Sequence, residues 1–273
     1  MKTLYVTDLD GTLLGPEQKV SAYTERVINE FVGRGMLFTY ATARSGETAA
    51  QVTEGLLTSA PRVLYNGAFA VGADGSIIVK NTFEDTAAPV IDSLLESGVY
   101  PIVYSLIDGR EKFSYLPDKL TKDGAEFIAT RKTSVRRNPV LSAGDLYKGD
   151  AFYLTCIDAP TKLAPLYEKF KNDFSCVYQR DIYSGAQWLE IMPKAATKAN
   201  ALAEIKRMLG CRLVVFGDGK NDAEMFRAAD ESYAVENACE ELKFMATAVI
   251  GKNSDDGVAK QLIKLYSQAA SER

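Results

Sequence analysis

The stretch that decides the fold is Thr3-Leu4-Tyr5-Val6-Thr7-Asp8-Leu9-Asp10-Gly11-Thr12. Thr3 to Thr7 is a short β-rich run that predicts a buried strand, and it breaks at Asp8 into a polar turn closed by Asp10-Gly11. Ser21 to Arg34 is amphipathic, with Val27, Ile28, Phe31 and Val32 on one helical face. Gly35 ends that helix, and Met36 to Ala41 predicts a second buried strand. Ser45 then caps a helix carrying Val52, Leu56 and Leu57, and Arg62 to Tyr65 predicts a third strand, stopped by Asn66-Gly67. This alternation of strands and helices predicts a parallel sheet covered by helices.

Outward from there the rhythm changes. Phe69 to Val79 reads as a hairpin turning at Asp74-Gly75. The next hundred or so residues are less regular, with helices expected at Asp85 to Ser97 and Pro160 to Asp173 and strands at Val99 to Leu106, Asp150 to Ile157 and Ser175 to Gln179. From Trp188 the first pattern resumes: strand Leu189 to Met192, a helix from Thr197, strand Leu213 to Phe216, a helix from Lys220, strand Tyr233 to Val235, and a last helix from Asp256 to Gln268. The expected fold is therefore α/β, a Rossmann-like doubly wound parallel sheet formed by residues 1–82 and 187–273, interrupted by an α+β domain at 83–186. A chain of 273 residues is long enough for both, at about 150 residues per domain.

Composition narrows the chemistry. The chain contains no histidine, which excludes a Ser-His-Asp triad, a Cys-His pair and a His-ligated zinc site. A net charge of −4 supplies no field for gripping nucleic acid or an anionic membrane, and neither is expected as a partner. Arg131, Lys132, Arg136 and Arg137 form the densest basic run, read as a solvated face. The four cysteines, Cys156, Cys176, Cys211 and Cys239, form no C-x-x-C pair, and no apolar stretch approaches the ~18 residues of a membrane span. A reduced, cytoplasmic protein is the simplest expectation.

The chemistry-bearing residues fall at strand ends, where open α/β sheets bind ligands. Asp8 and Asp10 follow the first strand. Asp218, Asn221 and Asp222 lie in Phe216-Gly217-Asp218-Gly219-Lys220-Asn221-Asp222, after another. Four carboxylates brought together repel by about 4 kcal/mol per ionised pair at ~4 Å and an effective dielectric near 20. A hard divalent cation removes that cost, and an all-oxygen donor set suits Mg²⁺. Thr42, followed by Ala43 and Arg44, ends the second strand, and Lys198 opens the helix after Met192. A hydroxyl, a lysine and a helix N-terminus beside Mg²⁺ make a phosphate site.

These motifs, in this order, resemble those of the haloacid dehalogenase superfamily, and within it the Cof-type phosphatases. The likeness runs through Asp8 to Leu14, Thr42, Lys198 and Gly217 to Asp222, and extends to Asn66-Gly67-Ala68, Glu236-Asn237-Ala238 and Asp256-Gly257-Val258-Ala259. Two departures are Ala43 and Ala199, where the family commonly has glycine; both are small and remove no reacting group. The resemblance implies that 83–186 is a cap domain, that Asp8 is a nucleophile forming an aspartyl-phosphate, and that Asp10 is the acid and then the base. It implies Mg²⁺ held by Asp8, the Asp10 backbone carbonyl, Asp218 and Asp222, with phosphate contacted by Leu9, Thr42, Ala43, Lys198 and Asn221. The expected activity is a Mg²⁺-dependent phosphatase acting on a small phosphorylated metabolite such as a sugar phosphate. A phosphomutase built on the same core, or a catalytically idle phosphosugar-binding module, stands as the alternative.

Overall fold

The computed structural model of the protein describes residues 2–180 and 185–271. The chain divides into two compact units, Met1–Lys80 with Thr197–Arg273, and Asn81–Ala196.

In the first unit, five strands form a parallel sheet in the order Ala248–Ile250, Glu231–Val235, Arg212–Gly217, Thr3–Thr7, Leu37–Tyr40. The interior strand Thr3–Thr7 is covered on both faces, with Leu4 and Val6 buried on one and Tyr5 and Thr7 on the other, which is why it reads as a nearly unbroken apolar run. From Thr3–Thr7 the chain moves to one side of the sheet, and from Arg212–Gly217 to the other. The direction therefore reverses between these two strands, the crevice where ligands of doubly wound sheets sit. The surrounding helices begin on side-chain caps: Ser21 accepts from the Thr24 amide, Ser45 from the Thr48 amide and Thr197 from the Asn200 amide.

Two expected strands belong elsewhere. Arg62–Leu64 pairs antiparallel with Phe69–Val71, which pairs with Ile77–Lys80 to form a separate three-stranded sheet, joined to the main sheet by the parallel bridge Ala41 to Val63. The Asn66-Gly67 turn folds this strand straight back on its successor instead of sending it into a helix. Leu189–Met192, expected in the parallel sheet, lies instead within Gln187–Met192 in the second unit, between Ser175–Arg180 and Asp150–Ile157. Residues 81–82 and 187–196 thus fall in that unit and not in the first. Its pattern explains the placement: Leu189 and Ile191 are buried in one core while Glu190 projects from the other face, the alternation of an antiparallel strand and not of a central parallel one.

The second unit is a six-stranded sheet in the order Ser175–Arg180, Gln187–Met192, Asp150–Ile157, Ile102–Ile107, Arg110–Tyr115, Arg137–Pro139. All pairs are antiparallel except the last. Helices Ala87–Glu96 and Pro160–Phe170 contribute Ile91, Leu94, Leu163 and Leu166 to a core with Val103, Leu154 and Leu189. Arg136, expected on a solvated face, is buried against Glu111 and over the Phe113 ring; Arg131 stacks on Phe127 and Arg137 donates to the Tyr115 hydroxyl. Tyr104, Tyr115 and Tyr153 are buried among their neighbours, Arg180 is exposed, and Tyr183 lies outside the described residues.

Candidate active site

Thr3–Thr7 delivers Asp8 to the crevice, and the segment after it forms one wide helical turn, closed by the Leu14 amide donating to the Leu9 carbonyl. Within it Asp10 is extended and Gly11 left-handed at φ 75. A Cβ on Gly11 would lie 2.4 Å from Asp218 Oδ2, so glycine is required both by conformation and by the close approach of the second carboxylate loop. Across the crevice, Thr12 Oγ1 donates to Asp218 Oδ1 at 2.8 Å, joining the two loops directly.

Lys198 enters from the N-terminus of the helix Lys198–Leu209. Its ammonium donates to Asp8 Oδ1 at 2.5 Å and to Asp222 Oδ1 at 2.7 Å, with the lysine side chain only 1% exposed. The other Asp222 oxygen accepts from the Asp218 and Gly219 amides at 3.0 and 3.1 Å, so this fully buried carboxylate orders the loop as well as the lysine. Asp222 closes the single helical turn Lys220–Asp222, which leads directly into the helix Ala223–Ala228.

Asp8, Asp218 and Asp222 each place a carboxylate oxygen within 4.8 Å of the others. Burial lifts the Asp8 carboxyl well above the ordinary carboxylate range; Lys198 opposes this, and Asp222 and Asp218 add to it. Burial, reinforced by Asp222, pushes Asp218 up to about 6, against the Thr12 hydrogen bond. Burial also works to discharge Lys198, but Asp222 and Asp8 together outweigh it and hold the ammonium protonated. Three carboxylates against one ammonium leave two negative charges uncompensated. The donor set is oxygen only, so the residues fit a hard divalent cation in both charge and chemistry.

The remaining expected residues gather around this cluster. Thr42 is fully buried, and its hydroxyl oxygen accepts from the Arg44 amide at 3.1 Å, leaving its O–H as a donor. Leu9 and Ala43 directly follow Asp8 and Thr42. Asn221 donates to Asn66 Oδ1 at 3.4 Å. The Asp10 carboxylate is not one of the three in that cluster, although its charge acts on Asp218, and it is held by Arg44 through two hydrogen bonds.

Arg44, Gln18, Asn66 and Asn237 join the site through hydrogen bonds to Asp10, Arg44, Asn221 and the Gly11 carbonyl. Arg44 carried a signal, as a cation at the second strand end opposite paired carboxylates. Asn237 falls in the stretch Glu236-Asn237-Ala238 that carries the family likeness, but residue order does not reveal its hydrogen bond to the Gly11 carbonyl at 2.7 Å, which spans 226 positions. Asn66 lies in a run of three left-handed residues, Tyr65, Asn66 and Gly67, of which only the asparagine and the glycine suit that conformation.

A family model described as haloacid dehalogenase-like hydrolase matches residues 5–262. The chain is 28% identical to the 5-amino-6-(5-phospho-D-ribitylamino)uracil phosphatase YwtE of Bacillus subtilis, over 95% of this chain and 96% of that one. It is 25% identical to YitU of the same organism, which carries the same activity name, over 97% of each. A crystal structure from Thermotoga maritima superposes with a TM-score of 0.78 at 26% identity, covering 97% of each chain. With carboxylates at the strand ends and a match across nearly its whole length, the chain belongs to the haloacid dehalogenase-like hydrolases.

Proposed function

We propose that the protein is a Mg²⁺-dependent phosphatase that hydrolyses a small phosphorylated metabolite through an aspartyl-phosphate on Asp8. The observation that carries this reading is the buried Asp8 carboxylate, gripped by Lys198 and clustered with Asp218 and Asp222.

Asp8 attacks phosphorus in line, and the bond from phosphorus to the leaving oxygen breaks. Asp10 gives its proton to that oxygen. It then takes a proton from the water that attacks the aspartyl-phosphate, releasing phosphate and restoring Asp8. Lys198, the Thr42 hydroxyl, Asn221 and the Leu9 and Ala43 amides bind the phosphoryl oxygens. Asp8, Asp218, Asp222 and the Asp10 carbonyl would hold Mg²⁺, which supplies charge neutralisation at the phosphoryl group when bound. The insertion Asn81–Ala196 acts as the cap that selects the leaving group. Two relatives named for a phosphoribitylamino-uracil favour a phosphorylated sugar or sugar alcohol as substrate. All four cysteines are free thiols, in keeping with the cytoplasm. No helix among the described residues is long and apolar enough to cross a membrane.

The test is phosphate release with Mg²⁺ from a panel of sugar phosphates, sugar-alcohol phosphates and 5-amino-6-(5-phospho-D-ribitylamino)uracil. Release that is lost with EDTA and in Asp8→Asn is the expected result. Isomerisation of substrate with little free phosphate, or tight binding without turnover, would overturn it.

A further inference from the structure

We propose that Arg44 is a positioning residue for Asp10, acting with Gln18 to fix the plane in which Asp10 presents its carboxyl oxygens. The inference rests on the reading of Asp10 as acid and base. Arg44 Nε donates to Asp10 Oδ2 at 2.7 Å and a terminal guanidinium nitrogen donates to Oδ1 at 2.6 Å. This two-pronged contact fixes the orientation of a carboxylate as well as its distance. The same terminal nitrogen reaches Gln18 Oε1 at 3.2 Å. Gln18 itself stands in the left-handed region at φ 55, unusual for a residue with a side chain.

The fork is mounted on a rigid base. The Arg44 amide donates to Thr42 Oγ1 at 3.1 Å, and its carbonyl accepts from the Tyr65 amide at 3.0 Å. Its backbone is therefore locked to the segment that carries Thr42. Asp10 needs such a partner because its side chain is 32% exposed and burial does not select its rotamer. A fork that takes one lone pair from each oxygen leaves a second on each, so Asp10 can still meet a leaving oxygen or a water. Displacing a reacting group by 1 Å costs about 100-fold, which sets the scale of what the fork can contribute. Lysine offers a point charge and no fork, so it cannot replace arginine in full.

The experiment compares a sugar phosphate that the wild type hydrolyses with p-nitrophenyl phosphate, whose leaving group departs without a proton. Both are assayed with Mg²⁺ in the wild-type and Asp10→Asn backgrounds. Arg44→Ala is expected to lower kcat on the sugar phosphate by about 10- to 100-fold with KM within about threefold, while kcat/KM on p-nitrophenyl phosphate falls less than about threefold. Arg44→Lys recovers part of the loss, and Gln18→Ala costs about two- to fivefold. In Asp10→Asn, Arg44→Ala costs nothing further, the non-additivity expected when one residue acts through another. Equal losses of kcat/KM on both esters, a rise in KM at constant kcat, or an undiminished loss in Asp10→Asn would each overturn the proposal while leaving the phosphatase reading intact. Wild-type turnover of the sugar phosphate by Asp10→Asn would instead remove the acid-base reading, and this inference with it. If Arg44→Ala does not fold, Arg44→Gln replaces it and is held to the same pattern.

Discussion

Lys198 and Arg44 each grip one aspartate of the same short turn, but in opposite surroundings. Lys198 is 1% exposed between Asp8 at 8% and Asp222 at 0%, whereas Arg44 is 18% exposed and Asp10 32%. Around Lys198 the charges cannot fall back on water, so the ammonium holds both carboxylates in place, and removing it strands them. Around Arg44 water screens the pair, which is worth on the order of 0–1 kcal/mol to the fold. What it offers is geometry. The buried group assembles the site; the half-open group aims a side chain at the edge of it.

The sharpest way to break that comparison is at its buried end. Lys198→Met leaves Asp8 and Asp222 buried without their cation and is expected to cost about 3–5 kcal/mol in EDTA. Mg²⁺ should restore much of the loss, because a divalent ion supplies charge at the same carboxylates. Denaturant melts with and without Mg²⁺ measure this, and equal losses in both would mean that Lys198 does not stand in for the cation. Asp8→Asn makes the opposite prediction for stability. It removes one of the uncompensated negative charges, so the metal-free fold is expected to be at least as stable as wild type while phosphate release falls by about 10⁴-fold or more. A large loss of stability in Asp8→Asn would show that packing, and not charge, governs the cluster.

Gly67 offers a break that reaches both cations at once. The Tyr65 amide binds the Arg44 carbonyl, while Gly67, at φ 100, lies so close to the helix carrying Lys198 that a Cβ would come 2.1 Å from the Thr197 carbonyl oxygen. Gly67→Ala must therefore push strand and helix apart as well as strain its own backbone. It is expected to cost about 2–4 kcal/mol and to lower activity through both the phosphate-binding and the acid-positioning groups. A cost below about 1 kcal/mol would show that the loop yields and that the two arrangements are independent.

The two regions also differ in how far they could be read from residue order. The parallel sheet was legible because a strand buried on both faces is a continuous apolar run ending in a polar break, as at Thr7-Asp8 and Phe216-Gly217-Asp218. The site residues stood out because they cluster at those breaks. The insertion was less legible. Its strand Arg110–Tyr115, Arg-Glu-Lys-Phe-Ser-Tyr, is polar over its first half, although the preceding Asp108-Gly109, both at positive φ, is a strong two-residue hairpin signal. Leu189 to Met192 reads as a strand of the parallel sheet yet pairs in the other one, because strand order does not reveal pairing partners; only the alternation at Leu189, Glu190 and Ile191 marks an antiparallel strand. The Arg44–Asp10 fork joins positions 34 apart, and no periodicity reports a contact made by two folded loops.

Titration sharpens the buried side further. Since burial and Asp222 push Asp218 up to about 6 from a reference of 3.8, the folded metal-free protein binds more protons than the unfolded chain between those values. Stability in EDTA then falls as pH rises from about 4 to about 6, and Asp8, raised for the same reason, acts in the same sense. At about 1.4 kcal/mol per pKa unit, the part due to Asp218 is on the order of 1–3 kcal/mol. Subtracting the melting curve of Asp218→Asn isolates it. A stability of wild type relative to Asp218→Asn that falls with rising pH across this window supports the assignment, and one that rises reverses the sign and refutes it. Mg²⁺ should flatten the curve, because the cation takes over the role of the bound proton.

The smallest expected effect lies at the open end. Asn237 donates to the Gly11 carbonyl at 2.7 Å, one residue beyond Asp10, and accepts from the Asn253 amide at 3.0 Å, so it ties the acid turn to the far side of the sheet. Its side chain is exposed, and water replaces both bonds in Asn237→Ala, which limits the cost to about 0.5–1.5 kcal/mol. For a chain of this size that is a fall of about 2–4 °C in Tm. The comparison of the two cations then fixes where activity should change. Loosening the turn at Gly11 disturbs Asp10, whose carboxyl is held, among the described residues, by the Arg44 fork. It leaves Asp8 almost untouched, because Asp8 is clamped by Lys198 and by its own amide bond to the Phe216 carbonyl. Asn237→Ala should therefore lower kcat/KM on sugar phosphates severalfold while sparing kcat/KM on p-nitrophenyl phosphate, a small copy of the Arg44→Ala pattern. Equal losses on both substrates would mean that the turn moves as one piece with Asp8, and that the buried and half-open groups are not separable.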